Sequence, residues 1–224
     1  PFPIPAQEYE RTLELLAAME LGNPLERDCR LDELESGFPI LKRLEKVGIN
    51  LDELDYLARR LDSFDSYEAA QFQAMAVRLG TFDMTDFINL TFCCQQATVI
   101  TDFSDLEAVG RRHVLTASGG HMPVDELAQV DGRKEALKLI LNGQGAVTPY
   151  GVAYDNGKEL EQLYREGGPF PEYVDRQYSM LLEASAGEGQ STLLLLPDSQ
   201  ARLERLLGRA GIQYSSQVRF RVVD

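Results

Sequence analysis

The chain has 224 residues, 36 acids against 22 bases and a formal net charge of −14. That balance repels nucleic acid and anionic membrane surfaces and favours basic partners, while a 44% hydrophobic content is enough to bury a core and argues against wholesale disorder. No apolar run approaches the roughly 18–20 residues of a membrane span, and three scattered cysteines, Cys29, Cys93 and Cys94, fit a reducing cytoplasm better than a disulfide framework.

In chain order, the first elements read strand–helix–strand. Ile4-Pro5 ends a strand, and Tyr9, Leu13, Leu16 and Ala17 carry helical spacing over residues 6–21. Gly22 and Pro24 stop that helix, and residues 27–31 alternate polar with apolar. The chain opens on Pro1 and not Met, so its start is expected to be a processing boundary.

A helical cluster follows. Asn50 with Glu53, Asp65 with Glu68, and Ser104 with Glu107 each read as a capping box opening a helix. In the first of these, Leu51, Leu54, Leu57, Leu61 and Phe64 form the buried stripe, which leaves Asp52, Asp55 and Asp62 to project from the opposite face. A short helix spans about 85–92, and residues 97–101 form a strand or extended connection.

Beyond Gly119-Gly120, residues 124–130 and 133–141 read as helices and 146–153 as a hairpin turning near Pro149, with a second turn at Asp155-Asn156-Gly157. Gly167-Gly168-Pro169 is a linker. Residues 178–185 and 191–196 form a hairpin, and a helix after Asp198 puts Leu203, Leu206, Leu207 and Ala210 on one face and Arg202, Arg205 and Arg209 on another. Val218, Phe220 and Val222 alternate with Arg219 and Arg221 in a last strand. The two ends share a Pro–helix–Gly–strand pattern, the signature of a repeated unit.

The fold class is therefore α+β, an elongated chain of small consecutive domains in which a central helical cluster is flanked by small antiparallel β/α units. The expected divisions are 1–48, 49–115, 116–168 and 169–224, the last resembling the first.

No phosphate-binding, dinucleotide, zinc-protease, nucleophile-elbow or EF-hand motif is present. His113, His121 and Cys93 have no spacing that marks a catalytic pair. Asp102-Phe103-Ser104-Asp105 lacks the ligand alternation of a calcium loop and reads as a helix start. The three cysteines are read as structural, and no cofactor or metal is called for. Basic stripes with interleaved aromatics are absent too, which argues against direct nucleic-acid binding.

What remains is acid. Residues 51–110 carry 11 acids against 3 bases, more than half of the chain's excess. The candidate protein-binding face is Asp52, Asp55, Asp62, Asp65, Glu68, Asp83, Asp86, Asp102, Asp105 and Glu107. Duplex DNA presents about one charge per 1.7 Å, so a basic DNA site could accept carboxylates in place of phosphates. A solvated helix face has the same composition, and Arg59 stands four residues after Asp55 to neutralise it in part.

Several ordered stretches carry a family likeness. They are Phe2-Pro3-Ile4 with the acidic helix after it, Ile49-Asn50-Leu51-Asp52-Glu53-Leu54 opening Tyr56-Leu57-Ala58, Asp102 to Gly110, Val130-Asp131-Gly132-Arg133, and Thr148-Pro149-Tyr150-Gly151-Val152-Ala153-Tyr154. In this order over residues 2–157 the chain resembles the ArdA antirestriction proteins of bacterial conjugative elements. The resemblance implies an elongated, usually dimeric DNA mimic without enzymatic activity or cofactor, which blocks the DNA groove of type I restriction–modification enzymes. The chain departs from the pattern in lacking the opening strands and in adding residues 166–224, as expected of a fragment of a longer tandem protein. A protein–protein adaptor of the same fold, without mimicry, is the alternative.

Overall fold

A computed structural model describes all residues except 1, 28, 81, 82, 174–179, 187, 188, 213–217 and 224. In chain order the elements are α1 (Ala6–Ala18), β1 (Cys29–Arg30), β2 (Gly48–Ile49), α2 (Leu51–Asp62), α3 (Ser66–Leu79), α4 (Met84–Leu90), β3 (Thr98–Ile100), α5 (Leu106–Ala117), α6 (Val124–Gln129), α7 (Gly132–Asn142), β4 (Ala146–Thr148), β5 (Gly151–Tyr154), β6 (Met180–Ser185), β7 (Ser191–Leu196), α8 (Gln200–Arg209) and β8 (Arg219–Val222). The fold is α+β, built of small helical groups and small antiparallel sheets. Among the described residues no helix is long and apolar enough to cross a membrane.

The chain divides into two units, each discontinuous in sequence: residues 1–34, 44–63 and 162–224, and residues 35–43 and 64–161. This replaces the four consecutive domains expected from linkers and composition. The reason is that the partners of each element lie far along the chain, and the acidic helical cluster itself is cut between α2 and α3.

In the first unit, β6 sits at the centre of a sheet ordered β7-β6-β8, with Met180 opposite Leu196 and Leu182 opposite Val222. The apolar stripe of α8 covers one face, where Leu207 packs with Ala184, Leu194 and Ile212. The start of the expected hairpin, Tyr178, lies outside the described residues. β1 and β2 form a separate two-residue pair.

No strand forms at Phe2 to Pro5. The backbone of Ile4 meets side chains there, its N–H donating to Asp55 Oδ1 at 2.6 Å and its carbonyl accepting from Arg59 and Arg202. The two ends therefore differ in strand order, and the likeness between them is not a structural repeat.

In the second unit, α3 is the central helix. Its residues 71–76 are buried in an unbroken run, and Phe72 meets Phe38, Phe64 and Phe87 at ring separations of 5.8–6.1 Å. The sheet β3-β5-β4 packs on α3, and Gln71 Nε2 donates to Ala97 O at 2.6 Å. The hairpin turn at residues 148–151 is closed by Thr148 Oγ1, which donates to Gly151 O and accepts from Tyr150 N. α5 and α7 cross backbone to backbone at two glycines. A Cβ on Gly110 would stand 1.7 Å from Gly132 O, and one on Gly132 would stand 2.1 Å from Glu107 O, so neither position tolerates a side chain.

Candidate protein-binding surface

The ten carboxylates picked out by sequence fall into three environments. Asp52 and Asp55 are not on a solvent face. Of the twelve residues of α2, only Asp62 at its end is exposed. The leucine stripe buries one side, and arginine side chains of α8 cover the acidic side. Arg202 Nη2 lies 3.0 Å from Asp55 Oδ2, which also accepts from Arg59 Nε at 3.0 Å. Arg205 grips Asp52 through Nε at 3.0 and 3.1 Å and Nη2 at 2.9 Å. Arg202 reaches on to Asp198 at 3.0 Å and lies over the ring of Tyr9, whose hydroxyl donates to Asp52 Oδ1.

The next acid on α2 goes deeper. Glu53 is 1% exposed and accepts from the Tyr164 hydroxyl at 2.6 Å, while Arg209 stands 3.8 Å away and donates to Tyr164 and to Asn50 Oδ1. Burial pushes the Glu53 carboxyl above the usual carboxylate range, against the pull of Tyr164 and Arg209. Burial likewise raises the phenols of Tyr9, Tyr56 and Tyr164. The Asn50 side chain caps α2 on the N–H groups of Asp52 and Glu53, but Glu53 does not return the bond, so the expected capping box is half made. Once buried in paired form these carboxylates present no free charge to a partner, and breaking such a pair typically costs about 3–5 kcal/mol.

The second environment is the surface of the other unit, where the carboxylates cap helices. Asp65 accepts from the N–H groups of Tyr67 and Glu68, both at 2.8 Å, and Glu68 returns a bond to Asp65 N at 3.0 Å, a complete capping box. Asp83 caps α4 through Asp86 N at 3.0 Å. Asp105, and not Ser104, caps α5 through Ala108 N at 2.9 Å. Asp102 instead folds over Ser104, accepting from its N–H and hydroxyl, and these two bonds hold its carboxyl below the usual range. Burial, followed by the neighbouring Asp83, raises Asp86. Glu107 crosses to α7 and accepts from Gly132 N and Arg133 N, while pairing with Arg111 at 2.9 Å. Asp102 and Asp105 share the rim of a cavity of about 100 Å³ with Tyr67 and Arg112, whose guanidinium lies 4.1 Å from the Tyr67 ring.

The third environment is Asp62, exposed at the end of α2 in the first unit. Each cap satisfies a backbone donor at a helix start and places a negative charge on the positive end of a helix, so these positions serve the fold while their charge stays near the surface.

One base, Arg78, lies among the seven acids of residues 64–107. It is occupied elsewhere. Its Nη2 meets Asp155 at 2.7 Å, and Nη1 donates to Gln144 O at 2.9 Å. The segment therefore supplies no cation to its own surface carboxylates.

Sequence reading missed Arg202, Arg205 and Arg209 as partners of α2. The sequence placed these arginines on one face of α8, but nothing in it tied that face to the acids of α2. The residues set aside as catalytic are held in place structurally. His113 Nδ1 lies 2.8 Å from Thr98 Oγ1 and burial lowers its pKa. Cys93 Sγ donates to the carbonyls of Asn89 and Leu90, and burial raises its thiol pKa. Among the described residues no group of three His, Cys, Asp or Glu side chains is placed to hold a metal ion. Comparison with protein-family models, curated proteins and solved structures returned no match.

Proposed function

We propose that the chain is an antirestriction protein of the ArdA type, a DNA mimic that blocks the basic DNA groove of a type I restriction–modification enzyme. The observation that carries this reading is the charge of residues 64–107: seven carboxylates near helix starts, with their one internal base turned away to Asp155. Asp65, Glu68, Asp83, Asp86, Asp102, Asp105 and Glu107 form the mimic, and Asp62 is an exposed charge of the other unit. Asp52 and Asp55 have no part in it. The ordered resemblance over residues 2–157 names the target.

Displacing phosphates releases the counterions that the enzyme's Lys and Arg otherwise hold, so binding strength falls as salt rises. Catalysis is not required of any residue. The test is competition with duplex DNA for a type I enzyme, read as inhibition of cleavage across a salt series. Asp86→Asn with Asp102→Asn removes two charges without removing a helix cap. Affinity is expected to fall by about 1 kcal/mol per charge, about thirtyfold in all. Inhibition that is indifferent to salt and to this double variant would leave the protein–protein adaptor of the same fold as the reading to pursue.

A further inference from the structure

α7 carries apolar residues on the side that does not face its own unit. Gly132 and Ala136 are buried at the α5 crossing, while Leu137 is 40% exposed and Leu141 78% exposed. Arg133, Leu137 and Leu141 recur every four residues and so form one line along the helix, with Lys134, Lys138 and Asn142 as the adjacent line. With Asp131, whose carboxylate is taken up in capping α7 on Lys134 N, they line a shallow groove of about 410 Å³. Lys138 bonds Glu135 at 2.6 Å, whereas Arg133 and Lys134 meet no carboxylate within ion-pair distance among the described residues. Three cations on eleven residues stand out in a chain of net charge −14.

A helix side exposed only to water gains nothing from leucine there. Burying such a side chain is worth about 1.5–3 kcal/mol, and that gain is forgone in the isolated chain. The cationic border selects what can collect it. Two copies of this face laid together would set Lys134 and Lys138 against their own equivalents. Phosphates would leave the leucines without an apolar partner. An anionic bilayer would gain little from two leucines and is repelled by the rest of the chain.

We propose that this face of α7 docks an acidic amphipathic helix of a partner protein. Apolar residues of that helix, repeating at three and four positions, lie along Leu137 and Leu141, and its carboxylates meet Arg133, Lys134 and Lys138. The site is separate from the carboxylates of the proposed mimic, and its test does not involve a restriction enzyme.

The probe is a fluorescein-labelled synthetic peptide of about 15 residues, with leucines on one helical stripe and glutamates elsewhere, titrated by anisotropy against the full chain. Saturable binding is expected, weakening with salt. Leu137→Glu with Leu141→Glu, and separately Lys134→Glu with Lys138→Glu, should each weaken it by at least about tenfold. Asp86→Asn with Asp102→Asn should leave it unchanged. The same peptide with lysines in place of glutamates should not bind. Circular dichroism melts confirm folding, and if the double leucine variant does not fold, Leu141→Ser alone carries the test, because that side chain is largely in water. Absence of binding, equal binding of both peptides, or indifference to the lysine variant overturns the proposal. Co-sedimentation with phosphatidylserine vesicles in place of peptide binding also overturns it and assigns the face to a membrane.

Discussion

Two sets of carboxylates that look alike in sequence meet opposite fates. Those of α2 follow a leucine stripe at helical spacing, as a solvent face would, yet Asp52, Glu53 and Asp55 are buried against arginines of α8. Those of residues 64–107 sit at helix starts, bond backbone N–H groups and remain near the surface. Local acidity is therefore a poor measure of presented charge. A carboxylate does not count toward a mimic surface once it is buried against a cation from elsewhere in the chain, as those of α2 are against α8.

The sharpest way to break this contrast is to remove one partner of a buried pair. Asp55→Ala takes from Arg202, 8% exposed at its side chain, one of its two buried counter-charges and leaves only Asp198. The first unit is expected to lose about 3–5 kcal/mol in urea denaturation followed by tyrosine fluorescence or circular dichroism. Arg202→Ala should cost a similar amount, and the double variant less than the sum of the two. A loss well under 1 kcal/mol would place the pair in water and undo the comparison.

For the capping set, charge and cap can be separated. Asp65→Ala should cost about 0.5–2 kcal/mol, whereas Asp65→Asn keeps a side-chain acceptor at the helix start and should cost a few tenths. The same two denaturation curves measure both. If asparagine is as costly as alanine, the charge and not the cap stabilises α3.

Acid titration should act on the two units with opposite sign. Burial raises the folded-state pKa of Glu53, so the folded state binds the proton more tightly than the unfolded chain. Its penalty is fully present above the raised pKa and is relieved as pH falls through it toward the ordinary carboxylate range. The carboxyl of Asp155 is lowered by the Gly157 N–H and by Arg78. Its contribution is present above the ordinary aspartate range and is lost as pH falls through the lowered pKa. Unfolding free energies measured against pH should show Glu53→Gln and Asp155→Asn each removing one slope, of opposite sign. Matching signs would contradict the burial assigned to Glu53.

The smallest effect belongs to Asp62. It is exposed at the negative end of a helix, so Asp62→Asn should change stability by no more than about 0.5 kcal/mol, if anything upward. A larger loss in the same assay would reveal a partner that the contrast leaves out.

What the amino-acid sequence determined by itself is what closes within a few residues. The Asp65–Glu68 capping box, the turn at 148–151, the Asp155-Asn156-Gly157 turn and the pairing of β6 with β7 all rest on bonds between near neighbours, and each stands where the sequence puts it. Even short-range signals fail where two readings compete. Ser104 bonds Asp102 and leaves the cap of α5 to Asp105, Glu107 is drawn to α7, and Glu53 leaves Asn50 for Tyr164. The placement of Asp52 and Asp55 was decided only by tertiary structure. Their arginines lie 153 and 147 residues away along the chain. Helical periodicity shows which residues share a side of α2 but carries no information about what packs there. For the same reason the division into two interleaved units was not legible, and residues 2–5 read as a strand until the side chains of Asp55, Arg59 and Arg202 supplied the bonds that a neighbouring strand would have made.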